Sequence, residues 1–181
     1  MKTNINPNLQ FSVLVDYAHE PESMRRLLTT AQEWKQRGFF DKIIHVVSCC
    51  GKGRDDWKKP VLGSISYLQA DFSVVTTEEY TADDNPQEIL DFLTDQFPPE
   101  TIIKDLEDYN PTSKYITIFD RREALAICPD IASTINQLYP DKTKFLLIST
   151  SMGSQQTMTL PEGEIQYDER QQWRKIFTSG L

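Results

Sequence analysis

The chain has 181 residues, enough for one domain with a sizeable core. At 39% hydrophobic and 25% charged residues it falls outside the disordered and fibrous classes. Its formal net charge of -8 argues against nucleic acid as a bulk partner, because phosphate neutralisation is mainly the work of Lys and Arg.

Strand and helix patterns alternate along the chain. Phe11 to Val15 reads as a strand closing on Asp16-Tyr17-Ala18-His19-Glu20-Pro21. Pro21 to Gly38 reads as an amphipathic helix opened by Pro and ended by Gly. Lys42 to Cys50 is a second apolar strand, and the polar loop Gly51 to Trp57 leads into a helix from about Lys58 to Ala70. Phe72 to Thr76 is a third strand. An acidic loop, Glu78 to Asn85, precedes a helix at Pro86 to Phe97, with Asp84 or Asn85 as N-cap. Glu100 to Lys114 is polar and holds at most a short element. Tyr115 to Phe119 is a fourth strand. A helix runs from Arg121 to about Cys128 and restarts at Pro129 towards Leu138. Phe145 to Ser149 is a fifth strand. Thr157 to Leu160 and Glu164 to Tyr167 form a hairpin or an edge strand, and Asp168 caps a last helix, Glu169 to Phe177.

This rhythm predicts an α/β, three-layer, Rossmann-like fold: a mostly parallel sheet of about six strands with helices on both faces. One domain spans 1–181, with 1–10 as a leading segment. No apolar run reaches bilayer-spanning length, and the N-terminus lacks a signal-peptide core, so a soluble cytoplasmic protein with no membrane partner is expected. Cys49, Cys50 and Cys128 offer no Cys-x-x-Cys spacing; reduced, buried thiols and no metal site are expected.

Four polar loops follow four apolar strands, and in an open parallel sheet such loops share the edge where ligands bind. At the first, Asp16 accepts hydrogen bonds from a sugar diol while His19 positions a nucleotide, or Asp16 merely caps a turn and His19 is an exposed loop residue. The second, Gly51-Lys52-Gly53-Arg54-Asp55, frees the backbone before a helix N-terminus that favours an anion. There Arg54 offers a fork for a carboxylate or phosphate, or is part of a solvated basic loop. The third, Thr76 to Pro86, has an acidic cluster that could hold an amino group or cap the following helix. The fourth, Ser149 to Gln156, is rich in small and hydroxyl residues, as ligand loops and ordinary turns both are.

The order of these motifs resembles the C-terminal domain of the Mur ligases, closest to their tripeptide synthetases. Asp16-Tyr17-Ala18-His19-Glu20-Pro21 resembles the family's Asp-Tyr-Ala-His-Thr-Pro. Gly51-Lys52-Gly53-Arg54-Asp55 with Lys58-Lys59-Pro60 resembles its Gly-Gly-x-Arg-Asp-x-x-Lys-Arg-Pro. Asp120-Arg121-Arg122-Glu123-Ala124 and Tyr167-Asp168-Glu169-Arg170 are similar to two weaker motifs. The resemblance implies a domain contacting an amino acid and ATP in an ATP-dependent amide-forming ligase of peptidoglycan synthesis. It implies Asp16, Tyr17 and His19 on the nucleotide side, and Arg54, Glu79, Gly153 and Gln155 on the substrate side. In the complete enzymes, ATP with Mg²⁺ activates a carboxylate as an acyl phosphate that the amino acid's amine attacks. A UDP-MurNAc-peptide is the other substrate.

Departures accompany the likeness. The family's Asp-Asn-Pro-Arg aligns with Thr77-Glu78-Glu79-Tyr80, and its Gly-Lys-Gly-His-Glu with Ser151-Met152-Gly153-Ser154-Gln155. An arginine, a lysine and a glutamate are thereby lost, and diaminopimelate recognition is not implied. No P-loop motif occurs in the chain. The missing ligase domains are expected in cis or in trans, and the isolated chain is expected not to turn over. Folylpolyglutamate and cyanophycin synthetases share the Asp-x-Ala/Gly-His-Asn-Pro corner but differ at Tyr17 and Glu20. A non-catalytic binding module that kept the fold is a further alternative.

Overall fold

The computed structural model describes residues 6–51, 53 and 55–178. Strands β1 (Gln10–Val15), β2 (Lys42–Cys49), β3 (Phe72–Thr77), β4 (Tyr115–Ile118) and β5 (Lys144–Ser149) form one sheet in the order β1-β5-β2-β3-β4. Every neighbouring pair in it is parallel. The two short strands β6 (Thr157–Leu160) and β7 (Gly163–Gln166) stay outside this sheet and pair antiparallel with each other. The main sheet thus has five strands, against about six in the expectation. The hairpin has its own small core, in which Met152, Met158 and Tyr167 are buried.

The central strands are continuous apolar runs because both of their faces are covered. On one face α1 (Pro21–Gln36), α2 (Lys59–Gln69) and α3 (Pro86–Thr94) bury Met24, Leu28, Leu62, Ile89 and Leu93 against Ile43, Val47, Val75 and Ile148. On the other, α4 (Arg121–Ala126), α5 (Cys128–Leu138) and α6 (Glu169–Thr178) bury Leu125, Ile131, Ile135 and Trp173 against Ile44, Val46, Val74 and Leu147. Alternate residues of one strand therefore serve opposite cores. Each fully buried aliphatic side chain contributes roughly 1.5–3 kcal/mol relative to exposure.

Local chemistry sets the element ends. The Asn85 side chain accepts from the Gln87 N–H at 3.0 Å, and Asp168 from the Arg170 N–H at 2.9 Å, as N-caps do. Pro129 follows Cys128 at the start of α5, where a missing N–H costs little, so α4 and α5 are separate helices. Between α3 and β4 the chain makes two short 3₁₀ turns, Pro99–Thr101 and Leu106–Asp108, and one parallel bridge from Ile102 to Tyr115. Gly63 lets α2 meet α3: a Cβ there would stand 1.7 Å from the Leu93 carbonyl oxygen.

All five strands run parallel, so their carboxyl ends lie at one end of the sheet, with β2 reaching three residues beyond Val46, the partner of Ser149 at the end of β5. Val15 lies beside Ser149, Cys49 beside Thr77 and Thr76 beside Ile118. The polar loops therefore emerge on one rim. At the opposite end, Asp71 accepts from Lys35 Nζ at 2.6 and 2.7 Å, Lys42 Nζ at 3.3 Å and the Ile43 N–H at 2.8 Å. That acid ties elements together.

Candidate functional site

The first loop leaves β1 through a tight turn. Asp16 Oδ1 accepts the Ala18 N–H at 2.8 Å, so this acid does cap a turn. Tyr17, 53% exposed, packs edge-on against the His19 ring at 4.7 Å. His19 Nδ1 lies 2.8 Å from the Tyr17 carbonyl oxygen, which can only accept; the Nδ1 proton is thereby fixed and Nε2 faces outward. Glu20 Oε1 is 3.7 Å from that Nε2.

Where the second loop runs into α2, Lys58 and Lys59 read as part of a solvated basic stretch, and the fold buries both. Lys58 Nζ reaches Glu20 Oε1 at 2.7 Å and Asp55 Oδ2 at 3.1 Å. Burial pulls its pKa down, but the hydrogen bonds and charges of Glu20 and Asp55 outweigh that and raise it above the usual lysine range. Lys59 is fully buried, bonding the Gly51 carbonyl at 2.9 Å and Asp56 at 2.5 Å, with the Phe92 ring 5.6 Å away. Cys49 and Cys50 are buried and not joined in a disulfide. The Cys49 thiol is pushed up by its hydrogen bond with Cys50, by burial and by Glu78, which makes it a poor nucleophile. Arg54 lies outside the described residues.

From β3, Glu78 Oε2 accepts from Ser48 Oγ at 2.8 Å. Glu79 is fastened to two neighbours: its carbonyl accepts the Gly51 N–H at 2.8 Å, and its Oε1 lies 3.4 Å from the Thr159 N–H of the hairpin. The Tyr80 N–H donates to the Thr159 carbonyl at 3.1 Å. From β5, Ser151 Oγ donates to the Ser48 carbonyl at 3.3 Å. Gly153, with φ +53°, packs against Tyr17.

These loops enclose a polar cleft of about 180 Å³ whose lining includes Tyr17, His19, Lys58, Glu78, Glu79 and Gln155. Four of the seven candidate residues thus meet in one place. Asp16 and Gly153 stand behind the lining, one shaping the turn and the other seating Tyr17. Glu79 also borders an adjoining hollow of about 380 Å³ that Tyr80, Asp83 and Thr159 line. Sites that bury a drug-sized ligand measure about 300–1,000 Å³. The cleft alone suits an amino acid or one end of a nucleotide. Among the described residues no group of three His, Cys, Asp or Glu is placed to hold a metal ion.

Beneath the cleft lies an ion pair that residue patterns alone did not single out. Arg121 and Glu169 are both buried and meet through two bonds, Nη2 to Oε1 at 2.7 Å and Nε to Oε2 at 2.9 Å. Arg121 also donates to Ser48 Oγ at 2.6 Å and the Thr150 carbonyl at 2.7 Å. Tyr167 Oη donates to Glu169 at 2.5 Å. Burial alone would raise the Glu169 pKa, yet the Arg121 charge and hydrogen bonds hold it below the ordinary value. His45, fully buried, bridges Ser66 Oγ at 2.8 Å and Thr150 Oγ1 at 3.0 Å. Burial, and then the Arg121 charge, bring its pKa down to about 3. The signal for Arg121 and Glu169 was present in two short motifs, but they are 48 residues apart and nothing local pairs them.

A parallel sheet covered by helices on both faces, with a polar cleft at the carboxyl ends of its strands, defines a Rossmann-like α/β domain. A family model described as Mur ligase, glutamate ligase domain, matches residues 4–135. The chain belongs to this family, as the Mur ligase C-terminal domain. It is 27% identical over 166 residues to the UDP-N-acetylmuramoyl-L-alanyl-D-glutamate–2,6-diaminopimelate ligase of Clostridium botulinum, covering 92% of this chain and 29% of that one. With the same-named ligase of Thermosynechococcus vestitus it shares 38% identity over 100 residues, 55% of this chain and 19% of the other. A solved structure of a ligase of that name matches with a TM-score of 0.67 at 18% identity, over 94% of this chain and 30% of the other, a likeness of fold. The chain spans about three-tenths of the length of such relatives. Among the described residues no helix is long and apolar enough to cross a membrane.

Proposed function

We infer that this chain is the part of an ATP-dependent amide-forming ligase that contacts the incoming amino acid and one side of ATP, acting on a peptidoglycan precursor. The convergence of Tyr17, His19, Glu79 and Gln155 on one cleft is the observation that carries this reading. The relatives, ligases named for joining diaminopimelate to a UDP-N-acetylmuramoyl dipeptide, support the class of reaction.

In this reading Tyr17 and the outward Nε2 of His19 face the nucleotide, with Asp16 holding the turn that presents them. Glu79 takes the ammonium group of the amino acid, Gln155 offers it a neutral amide, Gly153 shapes the rim, and Arg54 binds a carboxylate. ATP with Mg²⁺ would supply the phosphoryl group that activates the acceptor carboxylate. The phosphate-binding loop, the Mg²⁺ ligands and the UDP-MurNAc-peptide site would come from further ligase domains, in cis or in trans. The 181 residues alone then show no ATP-dependent ligation, which a phosphate-release assay reads directly.

Thermal denaturation with L-lysine, meso-diaminopimelate, L-glutamate, L-aspartate and ATP tests the reading. Saturable stabilisation by one amino acid is expected, since a ligand bound only to the native state raises Tm by mass action. Glu79→Gln should weaken it. No stabilisation by any of these compounds overturns the reading.

A second reading, a binding module without catalysis, is favoured by Met152. It stands where the family motif has a lysine and is buried with Met158 and Tyr167 rather than facing the cleft. It predicts ligand binding but no turnover when further ligase domains are supplied.

A further inference from the structure

We propose that Arg121 is a positioning residue for the cleft: through Ser48 it fixes the direction of the Glu78 carboxylate, and through Glu169 it makes that direction depend on α6. The inference rests on the amino-acid reading of the cleft for its consequence, but not for its geometry.

The polarity of the chain of bonds follows from donor chemistry. A guanidinium can only donate, so at 2.6 Å Arg121 Nη1 occupies a lone pair of Ser48 Oγ. The hydroxyl has one proton left to place, and Glu78 Oε2 stands 2.8 Å away to accept it. Ser48 is fully buried on β2, so its hydroxyl is shielded from bulk solvent. The other end of the guanidinium is held by the two bonds from Glu169, the first residue of α6, and by the Thr150 carbonyl at the end of β5. Tyr167 holds Glu169 in turn. One buried arginine thus joins the end of β2, and through it Glu78 after β3, to the chain after β5 and to α6. A buried ion pair adds little net stability over a well-packed apolar substitute. This one adds orientation at the wall of a cleft, where Glu78 is a lining residue.

Two measurements on the full 181-residue chain test this. Crystal structures of the wild type and Ser48→Ala compare the Glu78 side chain with no ligand present. Calorimetric titration with L-lysine, meso-diaminopimelate and L-glutamate reads affinity. Ser48→Ala should turn the Glu78 carboxylate out of its wild-type position and raise the Kd of the amino acid that binds at least tenfold. Ser48→Thr, which keeps a hydroxyl, should restore both. Arg121→Lys keeps a charge for Glu169 but lacks the fork, and should behave as Ser48→Ala does. Ile131→Val, in the core of α5, is the stability control: it should lower Tm and leave Kd unchanged. An unmoved Glu78 in Ser48→Ala, or a Kd within twofold of wild type, overturns the proposal. If none of the three amino acids binds the wild type, the ligand reading of the cleft falls, and the Glu78 geometry alone decides the role of Arg121.

Discussion

Gly153 is seated against Tyr17 so closely that a Cβ on the glycine would stand 2.7 Å from the tyrosine Cβ. The loop after β5 thus sets where the aromatic ring of the first loop stands. Gly153→Ala must displace Tyr17 and also hold a left-handed backbone at φ +53°. The expected loss is about 1–3 kcal/mol, the usual cost of overpacking. Urea denaturation checks it through a lower midpoint at unchanged slope.

The approach of α2 to α3 permits no side chain at Gly63. The 1.7 Å to the Leu93 carbonyl oxygen can be relieved only by moving one helix. Gly63→Ala should therefore exceed the usual overpacking cost and reach about 3 kcal/mol or more. For a chain of this size that lowers Tm by at least about 6 °C. A scan showing less than about 2 °C would contradict this helix contact.

His45 makes stability depend on pH. Its folded pKa, about 3, lies below the unfolded value of 6.5, so the unfolded chain takes up the proton first. The stabilisation from a neutral His45 is complete above pH 6.5 and is lost as pH falls towards 3, by up to about 1.4 kcal/mol per pH unit. Glu169 acts in the same direction at lower pH: its pKa is depressed, so its contribution is present above the ordinary 4.5 and fades below it. Denaturant midpoints at pH 7.5, 6 and 5 should fall steadily for the wild type. His45→Gln should remove most of that slope.

Breaking the Arg121–Glu169 pair differs from replacing it. Glu169→Gln leaves a buried guanidinium without its counter-charge and should cost about 3–5 kcal/mol. Arg121→Met combined with Glu169→Leu removes both charges and should recover much of that loss. A double-mutant cycle built on these changes measures the coupling. Additive single effects would mean that the two side chains do not depend on each other.

The layered fold was legible because buried parallel strands are unbroken apolar runs and because caps such as Asn85 and Asp168 carry their own local chemistry. The convergence of four loops on one rim followed from the β-α rhythm alone. What stayed hidden depends on distant partners. Lys58 and Lys59 sit in a stretch that reads as a solvated basic loop, yet Glu20, Asp55, Asp56 and the Gly51 carbonyl take them out of water. Arg121 and Glu169 are each unremarkable in local pattern, and only tertiary structure joins them. In the sequence Asp16 suits either a sugar ligand or a turn cap; its side chain makes the turn bond to Ala18. The hairpin strands have four residues each and their own partner, which is why counting apolar runs overestimated the main sheet.

In the main sheet β1 touches only β5, and β5 also separates it from β2. Translation makes β1 first and β5 last of these five. Until residues 144–149 leave the ribosome, the opening strand has no neighbour to hydrogen-bond, and a slot one strand wide stands between it and the rest. The Ser149–Gln155 rim and the helix carrying Glu169 follow later still. The cleft therefore takes shape late among these 181 residues, only once the rim after β5 has followed its strand into place.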